Sequence, residues 1–144
     1  MRLNDNGYNS LHLREGISLK PYLDTQGVPT IAMGNTFYLD GKKVTMKDLP
    51  LSTKEAYKLG KVVSDNFAKE VHELVTSDVT QNQFNALVSL AYNIGINGFE
   101  KSTVLRRVNA NPNDATIGSA FMMWTKNKEL IGRRKSEVVQ YFLK

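Results

Sequence analysis

The stretch that most constrains the fold begins after Pro50. Ser52-Thr53-Lys54-Glu55 has capping-box spacing, in which a hydroxyl and a carboxylate each satisfy an amide that a helix start leaves open. Ala56, Leu59, Val63, Phe67, Val71 and Leu74 then recur every three or four residues, the period that lines apolar side chains along one helix face. One long amphipathic helix is predicted over 52–74, and the remaining elements must be placed before or after it.

Ahead of that helix the pattern changes twice. Residues 4–15 are predicted to form a short helix, with Asn4 or Asp5 at its start, Tyr8, Leu11 and Glu15 at helical spacing, and Gly16 as its stop. From 17 to 45 come short extended pieces, Ile17 to Leu23, Thr30 to Met33 and Thr36 to Leu39. Turn residues at Asp24-Thr25-Gln26-Gly27 and Asp40-Gly41 separate them, which predicts a small antiparallel sheet.

Behind the long helix, Thr80 with Gln83 supplies a second cap for the stripe Phe84, Leu87, Val88, Ala91 and Ile94, which ends in the turn Gly95-Ile96-Asn97-Gly98. Shorter helices are expected at about 102–109, 113–124 and 130–143, with Asn111-Pro112-Asn113 marking a break. Strands near the front and helices for the rest make an α+β chain. The expected organisation is a single domain over 1–144. A β-containing lobe of about 12–60 is joined by the long helix to a mainly helical lobe of about 61–144, to which the N-terminal helix is added, and the active-site cleft lies between them.

Composition excludes several kinds of chemistry. At 144 residues and 41% hydrophobic, the chain can bury one core but not two independent ones. Without cysteine there is no disulfide, no thiolate nucleophile and no Cys-based zinc site. His12 and His72 do not stand in an H-x-x-x-H arrangement, so no metal and no cofactor are expected, and the absence of G-x-S-x-G argues against a serine hydrolase elbow. The first residues carry no continuous apolar segment, and the longest apolar run, Ala120 to Trp124, is too short to span a bilayer, so neither a signal peptide nor membrane insertion is expected. The net charge of +5 favours a polyanion, but charge alone does not choose among nucleic acid, anionic lipid and an acidic polymer.

Within this frame Glu15 and Asp24 invite attention. Hydrolysis of a glycoside needs one carboxylic acid to protonate the leaving oxygen and a second carboxylate to attack the sugar or activate water. Glu15 is predicted at the C-terminal end of the first helix, where the dipole disfavours the ionised form, and Asp24 in a polar turn beside glycine. Bare spacing does not decide the matter. With 14 acidic residues in the chain, a helix-end Glu and a turn-forming Asp describe the pair equally well.

The wider context adds a resemblance. Glu15-Gly16, Tyr22-x-Asp24, Gly27 and Thr30-Ile31-Ala32-Met33-Gly34-Asn35 are similar to the signature of the phage-type lysozymes. Gln83-x-x-Ala86-Leu87-x-Ser89, Tyr92-Asn93-x-Gly95 and Phe99-x-x-Ser102-Thr103-x-Leu105 resemble that family's central helix and following turn. Phe121-x-x-Trp124 and Leu130-x-x-Arg133-Arg134-x-x-Glu137 resemble its last two helices, so the likeness runs from about residue 8 to about 142.

The resemblance implies a lysozyme-like fold and a muramidase that cleaves the β-1,4 bond between N-acetylmuramic acid and N-acetylglucosamine in peptidoglycan, with inversion. It implies Glu15 as general acid, Asp24 as the carboxylate that orients or deprotonates water, and Thr30 as the hydroxyl that helps hold that water. Thr36, Tyr92 and Ser102 match positions that contact the sugar chain, although a buried tyrosine or a capping serine explains the last two as well. The implied partner is bacterial peptidoglycan, without nucleic acid, and the protein is expected to be a monomer. The expected site of action is the periplasmic cell wall, reached from the host cytoplasm without a signal peptide or from the virion.

Three positions depart from the family pattern. Ala32 replaces a glycine, in a place where a β conformation is expected to tolerate it, Asn35 replaces a histidine, and Glu129 replaces a glycine in the expected loop before the last helix. Arg133 and Arg134 have two readings, one arginine reaching Glu15 or a solvated basic face with Lys126, Lys128 and Lys135. Two other functions stay open at this point. One is non-hydrolytic cleavage leaving a 1,6-anhydro end, against which Asp24 and Thr30 argue; the other is a basic binding module without catalysis, for which no recognition motif is visible.

Overall fold

A computed structural model describes all residues from Met1 to Lys144. The chain forms two compact units, one comprising Tyr8–Asp65 and the other Met1–Gly7 with Asn66–Lys144. Helix α1 (Asp5–Glu15) and the long helix α2 (Thr53–Leu74) each cross the boundary in sequence. The capping box that opens α2 is present in both directions: the Ser52 amide donates to Glu55 Oε1 at 3.0 Å, and the Glu55 amide donates to Ser52 Oγ at 3.1 Å.

The first unit holds a two-stranded antiparallel sheet, β1 (Ser18–Leu23) with β2 (Pro29–Ala32). Tyr22 faces Thr30 and Leu23 faces Pro29, but the register shifts between Ser18 and Tyr22. Pro21 lies inside the shift; having no amide hydrogen, it cannot donate to a ladder, so the strand bulges there. The third extended piece, expected from Thr36 to Leu39, is not a strand. A single Phe37–Lys43 bridge and the Val44 amide donating to the Thr36 carbonyl (2.9 Å) make a narrow hairpin around Gly41, too short to extend the sheet. Ile31, Ala32, Val44, Ala56 and Leu59 form the core of this unit, with Ile17, Leu19, Tyr38 and Leu51 packed against it.

In the second unit, α3 (Gln81–Ile94) is the central element. Its reciprocal Thr80–Gln83 cap is present, and every residue from Gln83 to Ala91 is buried. It packs against α7 (Lys128–Phe142), with α4 (Ile96–Glu100), α5 (Thr103–Ala110) and α6 (Ile117–Phe121) between them in sequence. The glycine turn expected at 95–98 is instead a helix restart: Gly95, at φ +88°, ends α3 and opens α4 in a conformation other residues rarely adopt. The helix expected at about 113–124 shortens to α6, because Asp114 folds its own segment into a turn, its Oδ1 taking the Thr116 amide at 2.8 Å. Helix α7 starts earlier than expected, since the Asn127 side chain accepts from the Leu130 amide at 3.2 Å. Glu129 therefore sits in the first turn of a helix rather than in a loop, where its negative charge complements the dipole. No helix is long and apolar enough to cross a membrane.

Candidate active site

The segment from Glu15 to Thr30 lies wholly in the first unit, and local hydrogen bonds build it. Helix α1 ends at Glu15 because Gly16 takes φ +70° and its amide returns to the His12 carbonyl at 2.8 Å. Glu15 is half-buried at that helix end, with Oε1 shielded from solvent. On the other side of β1, the Asp24 amide donates to the Val28 carbonyl (3.0 Å), closing the connection to β2 over Gly27 at φ +77°.

Asp24 Oδ1 accepts the amides of Gln26 (2.8 Å) and Val28 (2.9 Å), an Asx-type arrangement that fixes the plane of the carboxylate. Asp24 Oδ2 takes no hydrogen bond from the protein. The Thr30 hydroxyl donates to the Val28 carbonyl at 2.8 Å. Both side chains are thus tied to the peptide groups of one residue, Val28: its N–H holds the carboxylate and its C=O orients the hydroxyl. With its proton committed, the Thr30 oxygen has only lone pairs left to offer a third group.

Two of the three departures, Ala32 and Asn35, follow this segment in the chain. Ala32 is not in the expected β conformation. It stands at φ +57°, the left-handed region that costs an L-residue about 1–2 kcal/mol, which is the physical reason glycine suits the position. It opens a tight turn in which Ile31 and Asn35 exchange both backbone hydrogen bonds at 2.9 Å. Asn35 is buried; its Nδ2 donates to the Leu59 carbonyl of α2 at 3.0 Å and its Oδ1 accepts the Met33 amide at 3.3 Å. The side chain pins the turn after Thr30 to the long helix without a titratable group.

Among the sugar-contact candidates, Thr36 shares the unit of Glu15 and is half-buried. Tyr92 and Ser102 belong to the other unit. Tyr92 packs against Phe67 with ring centroids 5.0 Å apart. Ser102 is 4% exposed and caps α5, accepting from the Leu105 amide (3.0 Å) and donating to the Phe99 carbonyl (2.7 Å).

The solvated basic face does not describe Arg134, which is 0% exposed. Its guanidinium donates to Glu137 and Asn93 and, at 2.9 Å, to the Trp124 carbonyl. Arg133 also reaches Glu137, at 3.2 Å, and donates to the Ser89 carbonyl at 3.0 Å, while the Ser89 hydroxyl hydrogen-bonds the same carboxylate at 2.5 Å. Glu137, fully buried, is the centre of this network, which the sequence shows only as one letter of a motif. Its i−3 and i−4 arginines are the signal that points to it. His12 has no comparable signal in the sequence. It is buried against Tyr57 (centroids 4.8 Å apart), neither ring nitrogen has a hydrogen-bond partner, and burial, aided by Lys61, holds its pKa below the usual histidine value.

Two carboxylates in one unit of an α+β chain are the kind of pair that glycoside hydrolysis requires. Comparison with known proteins identifies the family. The family model described as Phage lysozyme matches residues 12–137. The endolysin of Salmonella phage P22 is 35% identical over 141 residues, covering 95% of each chain. A crystal structure of a P22 lysozyme point mutant superposes with a TM-score of 0.89 at 33% identity, covering 99% of both chains. The muramidase domain of SpmX from Asticaccaulis excentricus superposes with a TM-score of 0.82 at 30% identity, again covering 99% of both chains. The chain belongs to the phage lysozyme family, and it is a lysozyme-type glycoside hydrolase that acts on peptidoglycan.

Proposed function

We propose that the chain is an inverting muramidase, cleaving the β-1,4 bond between N-acetylmuramic acid and N-acetylglucosamine. Glu15, as the carboxylic acid, gives its proton to the glycosidic oxygen while the bond from the sugar's anomeric carbon to that oxygen breaks. A water attacks the same carbon from the opposite face and loses a proton to Asp24 Oδ2, and Thr30 accepts a hydrogen bond from that water. Each turnover adds one water; Glu15 regains a proton from solvent and Asp24 loses one.

The observation that carries this assignment is the Val28 peptide, which holds the Asp24 carboxylate by one oxygen and takes the proton of the buried Thr30 hydroxyl, leaving that oxygen as an acceptor. A carboxylate used as a structural cap alone would not need a hydroxyl oriented by the same peptide group. Thr36 and Tyr92 are assigned to sugar binding, each from its own unit, and Ser102 supports its unit by capping α5. The same assignment places the enzyme at the cell wall as part of a phage's lytic or penetrating machinery.

The test is clearing of outer-membrane-permeabilised bacteria by Glu15→Gln, with mass analysis of the released muropeptides. Loss of clearing by at least about 100-fold, and wild-type products carrying one added water, are expected. Undiminished clearing by the variant removes Glu15 as the acid. A 1,6-anhydro product replaces hydrolysis with a transglycosylase mechanism.

A further inference from the structure

A cavity of about 390 Å³ lies in the first unit, where the hairpin tip (Tyr38, Leu39, Asp40) meets Leu51 and the first turns of α2 (Glu55, Lys58). None of Glu15, Asp24, Thr30 or Thr36 lines it, and its size is that of a small-ligand site. Its charged lining residues, Asp40, Glu55 and Lys58, are solvent-exposed. Three ionised side chains line it, yet they do not pair: Asp40 uses Oδ1 for the Lys42 amide (2.9 Å), Glu55 uses Oε1 for the Ser52 amide (3.0 Å), and the Lys58 ammonium makes no ion pair.

The second oxygen of each carboxylate and the whole ammonium are therefore uncommitted around an apolar wall of leucines. The Tyr38 hydroxyl is already committed to Asp48 at 2.7 Å, so it adds no competing donor. The Ser52 amide and hydroxyl hold the Glu55 carboxyl below its ordinary range.

We propose that this cavity binds the zwitterionic end of a peptidoglycan stem peptide, with its ammonium between Asp40 and Glu55, its carboxylate on Lys58, and its aliphatic chain on Leu39 and Leu51. Asp40, Glu55 and Lys58 are solvent-exposed, so a neutral sugar would gain nothing from their charges. A simple anion would meet two carboxylates, and a simple cation would meet Lys58. An amino-acid terminus, with both charges on an apolar stem, matches the set. The wall polymer carries many such peptides, so even a weak contact holds the enzyme near its substrate by raising its effective concentration. The proposal rests on peptidoglycan being the substrate but not on the roles given to Glu15 and Asp24.

The probe is the free tripeptide L-alanyl-γ-D-glutamyl-meso-diaminopimelate, titrated against the whole chain and followed by the methyl resonances of Leu39 and Leu51. Saturable shifts are expected in the millimolar range. The same tripeptide acetylated on its free side-chain amine should bind at least about fivefold more weakly. Glu55→Gln keeps an acceptor for the Ser52 amide, so the helix cap survives while the charge is lost; Lys58→Met changes a side chain with no ion pair. Each should weaken the tripeptide by about fivefold or more with an unchanged melting temperature, and should slow digestion of intact wall but not of peptide-free glycan. Absent methyl shifts, equal binding of the acetylated probe, or equal binding by both variants overturns the proposal. Glu15→Gln should bind the tripeptide normally, so an active Glu15→Gln would remove the acid assignment and leave this site standing.

Discussion

Asp24 and Glu137 are both carboxylates held by several donors, yet they are held in opposite ways. Asp24 is half-buried, and its Oδ1 is held by amides two and four residues along the chain. Glu137 is fully buried, and the groups that converge on it come from α7 itself and from Ser89, 48 residues away in sequence. Local turn chemistry gives the first a fixed plane while leaving one oxygen open for chemistry. The second has no such freedom, because a buried charge must be met on every side or it is expelled. The proposed water activation calls for the first kind of carboxylate, and a packing centre for the second.

Substitution at these two positions should separate the contrast most sharply. Glu137→Ala leaves Arg134 as an uncompensated buried charge and should cost about 3–5 kcal/mol in urea unfolding. Combining Arg134→Met with Glu137→Leu should recover part of that loss, because it removes two of the three charges of the network and leaves Arg133 its bond to the Ser89 carbonyl. If Glu137→Ala unfolds at the wild-type urea concentration, the buried network does not centre on this carboxylate. Asp24→Asn should do the reverse. Asparagine still accepts the Gln26 and Val28 amides, so stability should stay within about 0.5 kcal/mol, while wall hydrolysis falls by about 100-fold or more. Equal activity would show that Asp24 is only a turn former.

Two smaller effects probe the scaffold of the first unit. The folded-state pKa of His12 is depressed by burial, so the unfolded chain takes up a proton that the folded chain refuses. Stability should therefore fall as pH drops below about 6.5, by at most about 1.4 kcal/mol per pH unit from this group, and level off below its folded value. Thermal melts of His12→Phe compared with the parent from pH 7.5 to 5 should show that part of the slope removed; identical slopes would mean His12 does not titrate between the states. Ala32→Gly relieves a left-handed alanine but adds freedom to the unfolded chain, so a net gain of about 0.5 kcal/mol is expected by denaturant titration. A loss on that substitution would show that the methyl group's packing outweighs its backbone strain.

Legibility follows the range of the interactions. The two capping boxes, the end of α1 at Gly16 and the turn at Asp24 are readable because each is decided within about four residues. The extra helix α4 is not, since Gly95 serves a turn and a helix restart with the same letter. Nor is the conformation of Ala32, because the Ile31–Asn35 turn is pinned by the Leu59 carbonyl, 24 residues away from Asn35. A third strand is suggested by the short extended piece from Thr36 to Leu39 before the turn at Asp40-Gly41, but a hairpin with one bridge offers no partner strand to pair it.

By itself, the sequence determined the α+β class and the long capped helix, since periodicity, caps and turn residues act through neighbours along the chain, and it offered Glu15, Asp24 and Thr30 as candidates through its resemblance to the phage-type lysozymes. Only the tertiary structure decided that Arg134 and Glu137 are buried together, that Ser102 is a buried cap and that Ala32 is held in a left-handed turn. Those outcomes depend on which groups are removed from water and which partners remain for them, and one-dimensional spacing carries no record of that.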